Sequence, residues 1–197
     1  MKPLSSKLLQ MGLLLLVGII LGAGIVFFGR DLLFENGLQE HQGEKQRGKT
    51  GGKIVLDKIP VRLYFGGPDE NSLEVEVGEI QKPSSTEESV RLVVERLLLG
   101  PRHLVSVIPK DTKIKNVYFD GKKTVYLNFS MELSKGHPGG AKIERLTIFS
   151  ITNTVIANNP YVQEVKFLVG GKEIDTFAGH VNTYNPFRFN PTVVSQN

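Results

Sequence analysis

From Leu8 to Phe28 the chain reads LLQMGLLLLVGIILGAGIVFF, without one charged side chain. A helix of that length crosses the hydrocarbon core of a bilayer. Gln10 is the only strongly polar residue in it, and it stands near the start. Lys2 and Lys7 precede the run, while Arg30 and Asp31 follow and roughly cancel. The positive-inside bias then places the N-terminus in the cytoplasm and everything after Phe28 outside. Gly22-Ala23-Gly24 has the small residues of a signal-peptide cleavage site. The apolar run continues past it through Ile25 to Phe28, which favours an uncleaved anchor. Gly18 and Gly22 form a GxxxG pair of the kind that packs helices together, although glycine is frequent in membrane helices anyway.

An anchor constrains the rest of the chain to what it can hold at a membrane surface. Asn36 to Lys53 (NGLQEHQGEKQRGKTGGK) carries five glycines, many charges and no aromatic residue. Such a stretch buries too little apolar surface to offset its ordering entropy, and it reads as a tether. The expected organisation is a cytoplasmic N-terminus at 1–7 and a transmembrane anchor at 8–28. A flexible linker at 29–59, a folded domain at 60–187 and a C-terminal tail at 188–197 complete it. Beyond the anchor the charge is nearly balanced, with 22 basic against 20 acidic residues. That is not the concentrated basic face of a nucleic-acid binder. The chain has no cysteine, so disulfides, thiolate catalysis and cysteine metal sites are excluded. No cofactor is expected.

Within the domain, Val61–Phe65 and Leu73–Ile80 alternate like strands around Gly66-Gly67-Pro68-Asp69, with Leu73, Val75 and Val77 on one face. Ser85 or Thr86 caps a helix whose apolar stripe is Val90, Val93, Val94, Leu97 and Leu98. Gly100-Pro101 ends it. Glu87 and Arg91 are spaced to pair on its outer side. Lys113–Phe119 and Thr124–Ser130 read as strands joined at Asp120-Gly121, a hairpin signal. Ala141–Ala157 is a second helix. Val162–Val169 is a strand, and Gly170-Gly171 turns the chain into Ile174–Phe177, which looks like a returning strand. The polar tail after Pro186 should run along the surface. The prediction is an α+β fold, a single compact domain with two helices packed on a mixed sheet. Its core has αββαβ order, with an added N-terminal strand pair and one preceding transmembrane helix.

These blocks also resemble, in order, a known family. They are VRLYF, LLLGP with LVSVIPKDTKI, VYLNFSMEL, a Gly-Gly pair with Glu144 soon after, ITNTVIANNPYVQEVKFLVGGKE and FAGHVNTYNPF. Together they cover about Val61 to Phe187 and are similar to the GerMN domain of sporulation and germination proteins. The resemblance implies a lipoprotein or membrane-anchored domain outside the cytoplasmic membrane. It implies no enzyme activity, and a part in assembling an envelope complex. The domain itself is similar to ring-building modules of secretion-type assemblies. This chain departs from the spore-former pattern in having one copy and no lipobox cysteine.

The candidate chemistry centres on LNFSMELSKGHPGGAKIERL, residues Leu127 to Leu146. Ser130 with His137 as base would be a nucleophilic pair. The GxSxG elbow is absent, and a structural reading is more economical. Ser130 and Ser134 suit backbone bonding at a strand end. Gly139-Gly140 frees the turn, and Glu144 suits the first helical turn. That helix N-terminus could bind an anion through its amides. His103 and His180 have no ligand-spaced partner, so no metal site is expected. Gly139, Gly140, Glu144 and His180 are the possible ligand or partner contacts. Gly100, Pro101, Pro109, Ser130, Gly170 and Gly171 are structural positions. The function expected is a non-catalytic interaction or scaffold module. Its partners would be envelope or membrane proteins, including further copies of itself. A cell-wall polymer or small-ligand binder is the alternative.

Overall fold

The computed structural model describes residues 57–196, and these fall within one unit. The anchor expected at 8–28 and all but the end of the linker lie outside the described residues. Among the described residues, no helix is long and apolar enough to cross a membrane.

Two strands open the domain, β1 (Lys58–Gly66) and β2 (Leu73–Gln81), paired antiparallel with Leu63 opposite Glu76. Helix α1 (Thr86–Leu98) follows. Ser85 caps it, its hydroxyl accepting from Glu88 N at 3.1 Å, and Glu88 reaches back to Ser84 N at 2.7 Å. That reciprocal arrangement satisfies free N-terminal amides. Gly100, at φ +87, ends the helix with a bond from its N–H to the Leu97 carbonyl, as left-handed glycines do. Arg91 pairs with Glu95, at 4.0 Å, rather than with Glu87.

Strands β3 (Ile114–Phe119) and β4 (Thr124–Phe129) form an antiparallel hairpin, closed by the Asp120 carboxylate, which accepts from the amides of Lys122, Lys123 and Thr124. A single helical turn, α2 (Glu132–Lys135), precedes the long helix α3 (Ala141–Asn158). Strand β5 (Glu164–Val169) returns parallel to β4. The result is a compact α+β domain with a two-stranded ribbon and a mixed three-stranded sheet in the order β3-β4-β5.

Helix α3 is buried on most of its circumference, and five of its fully buried residues are polar but uncharged: Thr147, Ser150, Thr152, Asn153 and Thr154. A helix that is buried on most sides has to match each polar group to a partner. One row of them lies against the outer edge of β1. The Ser150 hydroxyl donates to the Tyr64 carbonyl at 2.6 Å, and Thr154 Oγ1 accepts from Tyr64 N at 3.0 Å. Asn158 Oδ1 accepts from Arg62 N at 2.9 Å while its Nδ2 donates to the Arg62 carbonyl at 2.8 Å. Residues four apart share one helix face, so three side chains take the place of a neighbouring strand. Gly66 continues the ladder with a two-way pairing to Val105. On the far side of the ribbon, the β2 backbone among the described residues bonds outward through the Leu73 carbonyl, which accepts from Ser195 N, and the Glu76 side chain accepts from the amides of Arg102 and His103.

The main core joins Leu63 and Phe65 of β1, Val90, Val93 and Leu97 of α1, Leu127 and Phe129 of β4, Ile148 and Ile151 of α3, and Phe167 of β5. Phe167 is its aromatic centre, stacked on Phe129 and met edge-on by Phe177 and Phe187. Each such side chain contributes about 2 kcal/mol by leaving water.

One expected strand is absent, and two other readings gain detail. Val75 and Val77 are exposed (38% and 60%), and the buried face of the middle of β2 is the opposite one, with Gly78 and Ile80. Helix α1 covers that face: a Cβ on Gly78 would stand 2.7 Å from Leu63 and 3.2 Å from Arg96. Ile174–Phe177 is not a strand. Past the Val169–Lys172 bridge the segment forms no ladder, because the Phe177 amide is bonded to a side chain instead. The tail does follow the surface, but it plugs Val193 into a second small core with Tyr64, Leu73, Val107 and Leu146.

Candidate functional site

Gly139 and Gly140, at φ +86 and +89, swing the chain into α3. Nothing lies within 4 Å of a Cβ built on either. Backbone conformation, not crowding, therefore demands glycine there. The turn sets Glu144 in the first turn of α3 facing inward, fully buried. Its Oε1 accepts from Phe177 N at 2.8 Å and Ala178 N at 3.0 Å, and its Oε2 accepts from His180 N at 2.9 Å. His180 Nδ1 stands 3.3 Å from Oε2. Burial pushes the carboxyl up, but the amides of Ala178, His180 and Phe177 outweigh it and hold it below the ordinary 4.5. Glu144 is thus an ionised carboxylate fastening the segment that runs past it.

A second buried charge fastens the same segment from the other end. Lys166 on β5, 5% exposed, donates to the carbonyls of Thr183 (3.3 Å) and Tyr184 and pairs with Glu173 at 3.1 Å. Its ammonium also sits 5.3 Å from the centre of the Tyr184 ring, within cation–π range. Thr183 in turn bonds the Ile174 carbonyl. The closing segment, from Gly170 to Phe187, is therefore ordered without any strand of its own.

His137 is half-buried. Its Nδ1 accepts from Gly139 N at 3.1 Å, and its Nε2 contacts Thr147 Oγ1 at 3.1 Å. Burial pushes its pKa below the ordinary 6.5; Glu144 pulls it up and His180 pushes it down. Ser130 is bonded elsewhere, its Oγ accepting from Lys113 N at 3.0 Å, and it makes no hydrogen bond with His137. A cleft of about 430 Å3 opens beside this region between the Val105–Lys110 segment and Gly136, Pro138 and Ile143, with Glu70 at its rim.

Of the residues singled out in sequence, Gly139, Gly140, Glu144 and His180 come together at one end of α3. His137 joins them, although no short sequence spacing connects it to His180. Gly100 ends α1 away from this cluster. Pro109 lines the cleft, and its carbonyl accepts from the Thr112 hydroxyl at 2.7 Å. Gly170 and Gly171, at φ +59 and +79, lead from β5 into the closing segment. Gly171 N donates to Asn128 Oδ1 at 2.8 Å. Lys166 and Thr147 went unremarked in sequence. A lysine inside the apolar run of β5, with Val165 and Phe167 buried on either side, was the signal available for the first. Among the described residues, no group of three or more His, Asp or Glu could hold a metal ion.

Comparison with known proteins bears on this architecture. No curated protein matches the chain. The tandem GerMN domains of the sporulation protein GerM from Bacillus subtilis superpose with a TM-score of 0.51 at 16% identity, over 67% of this chain and 46% of that one. The chain thus spans about half of that tandem structure, and the likeness is one of fold. The first GerMN domain of the same protein gives a TM-score of 0.48 at 18% identity, over 68% and 98% of the two chains. A candidate lipoprotein from Clostridium perfringens gives 0.49 at 25% identity, over 73% and 97%. Residues 62–175, from β1 into the closing segment, match the profile of the Germane family, described as sporulation and spore germination. The chain belongs to that family, and its folded part is a GerMN-like domain.

Proposed function

We propose that this chain is a membrane-tethered GerMN domain held outside the cytoplasmic membrane, acting as a non-catalytic interaction module in a sporulation- or germination-type envelope complex. Residues 8–28 are the single-pass anchor, with the N-terminus inside, and the glycine-rich stretch after them sets the reach. The partners are envelope or membrane proteins, or further copies of the chain. Confinement to a membrane raises the effective concentration of weak contacts.

The observation that carries this reading is how the polar groups of the candidate site are spent. The Glu144 carboxylate holds backbone amides, Ser130 holds a strand end, and His137 holds a turn and a threonine. Groups so engaged serve the fold and leave no activated nucleophile. The sporulation description of the family supports the setting.

A second reading, a wall-polymer or small-ligand binder, is favoured by the cleft of about 430 Å3 beside the Gly139–Gly140 turn, a volume in the range of ligand sites. The His180 side chain, 44% exposed, would be the first to substitute. Mild crosslinking of the full-length protein in its own membranes, followed by identification of what co-purifies in detergent, tests both. A reproducible envelope protein supports docking. Wall fragments without any protein partner would overturn it in favour of the polymer reading.

A further inference from the structure

We propose that His137 is a pH-operated fastener of the glycine turn: neutral, its ring is tied to α3 at Thr147 and its Nδ1 holds the Gly139 N–H, and protonated, it lets the turn go. This goes beyond the docking role and does not depend on it.

The argument begins with which ring nitrogen carries the proton. His137 Nδ1 accepts the Gly139 N–H at 3.1 Å. An imidazole nitrogen that accepts is unprotonated, so the neutral ring holds its proton on Nε2. Nε2–H then donates to Thr147 Oγ1 at 3.1 Å, and the Thr147 hydroxyl donates onward to the Val107 carbonyl at 2.5 Å. Thr147 is fully buried and Val107 nearly so. Three hydrogen bonds thus run in one direction, from the glycine turn, through the ring and α3, to the 105–110 segment. Those are the cleft's two walls, with Gly136, Pro138 and Ile143 on one side and Val105 to Lys110 on the other.

Only one protonation state completes this relay. An imidazolium donates from both nitrogens and accepts at neither. Protonation turns Nδ1 into a donor facing the Gly139 N–H, while Nε2–H keeps its bond to Thr147. The turn is otherwise held only at its ends, by His137 N donating to the Ser134 carbonyl and Glu144 N donating to the Gly140 carbonyl. The charged groups around the ring are Glu144 on α3, which favours the proton, and His180 on the closing segment, which opposes it. Glu70 and Lys110 line the same cleft. Burial is the strongest influence, and it disfavours the charged ring. The amides that Glu144 binds hold its carboxyl below the ordinary 4.5. The bond that protonation breaks belongs to the turn alone, since the closing segment is held by Glu144 and the 105–110 segment by Thr147.

The chain has four histidines, so selective 15N-histidine labelling of the detergent-solubilised full-length protein gives a readable spectrum. Ring-nitrogen shifts are followed from pH 8 to pH 5, with amide hydrogen exchange corrected for intrinsic rate. The expected result is a neutral His137 with its proton on Nε2, titrating below 6.5. Protection of the Gly139 amide should then fall by up to about tenfold per pH unit across that titration, while the 105–110 segment stays protected. Thr147→Val should loosen the 105–110 wall at neutral pH without abolishing the titration. A proton on Nδ1, or Gly139 protection that does not follow the His137 titration, overturns the proposal. The wild-type measurement decides even if the variant fails to fold.

Discussion

Two parts of the domain lack a neighbouring strand and solve the problem differently. The outer edge of β1 is satisfied by neutral groups, the hydroxyls of Ser150 and Thr154 and the amide of Asn158. The closing segment is held by two ions, Glu144 and Lys166. The first solution distributes several bonds over a helix that is fixed anyway. The second concentrates several backbone groups on one charge. Charge-assisted bonds are roughly twice as strong as neutral ones, which lets a segment without regular structure stay ordered. The same concentration makes it brittle, since losing one side chain orphans several buried amides at once.

The largest expected effect follows from that. Glu144→Ala removes the acceptor of three amides and should cost about 3–5 kcal/mol, read by urea denaturation. Exchange at 177–180 should rise far more than in α3. If the loss is spread evenly, the closing segment is not separately fastened and the comparison fails. Acid should act in the same direction. His137 binds its proton less readily folded than unfolded, so stability present above 6.5 is lost as pH falls below it. Glu144 adds a second loss as pH falls from 4.5 through its lowered value. Thermal melts from pH 8 to pH 3 should show both declines, and Glu144→Gln should shrink the lower one, to which Asp69, Glu88, Asp120, Glu132 and Glu164 also contribute. Lys166→Met leaves the Thr183 and Tyr184 carbonyls without their donor, at about 2 kcal/mol, and should free Tyr184 on its own side of the segment. Ser150→Ala removes one rung of the neutral ladder for about 1 kcal/mol, with no change in the pH profile. A cost equal to that of Glu144→Ala would erase the contrast. The smallest effect belongs to Thr152, whose buried hydroxyl has no hydrogen-bond partner among the described residues. Thr152→Val should be neutral or stabilising by up to about 1 kcal/mol.

The regular parts of the fold were readable because local chemistry determines them. Ser85 and Gly100 bracket α1 by the conformations their backbones favour, and the Asp120-Gly121 turn closes its hairpin through a side chain two to four residues from its donors. The glycine pair and Glu144 were visible as a motif. Their purpose was not, because the amides that Glu144 holds lie more than thirty residues away. The same distance hid the ladder on β1. Ser150, Thr154 and Asn158 recur at helical spacing, but serine and threonine suit a water-facing helix as well as a buried one. Alternation in β2 showed two faces without showing which of them α1 would cover. The hairpin at Gly170-Gly171 turned the right way, but its second arm went to a carboxylate.

The helix that lies along β1 behaves as a counterfeit strand. It offers donors and acceptors where a neighbour would, yet it has no second edge to pass on. Sheet growth is terminated there, and no further chain can be added on that side. Among the described residues, β2 from Val75 to Glu79 carries no such terminator. Among the described residues, the ribbon is thus asymmetric, with one edge stoppered and the other unstoppered.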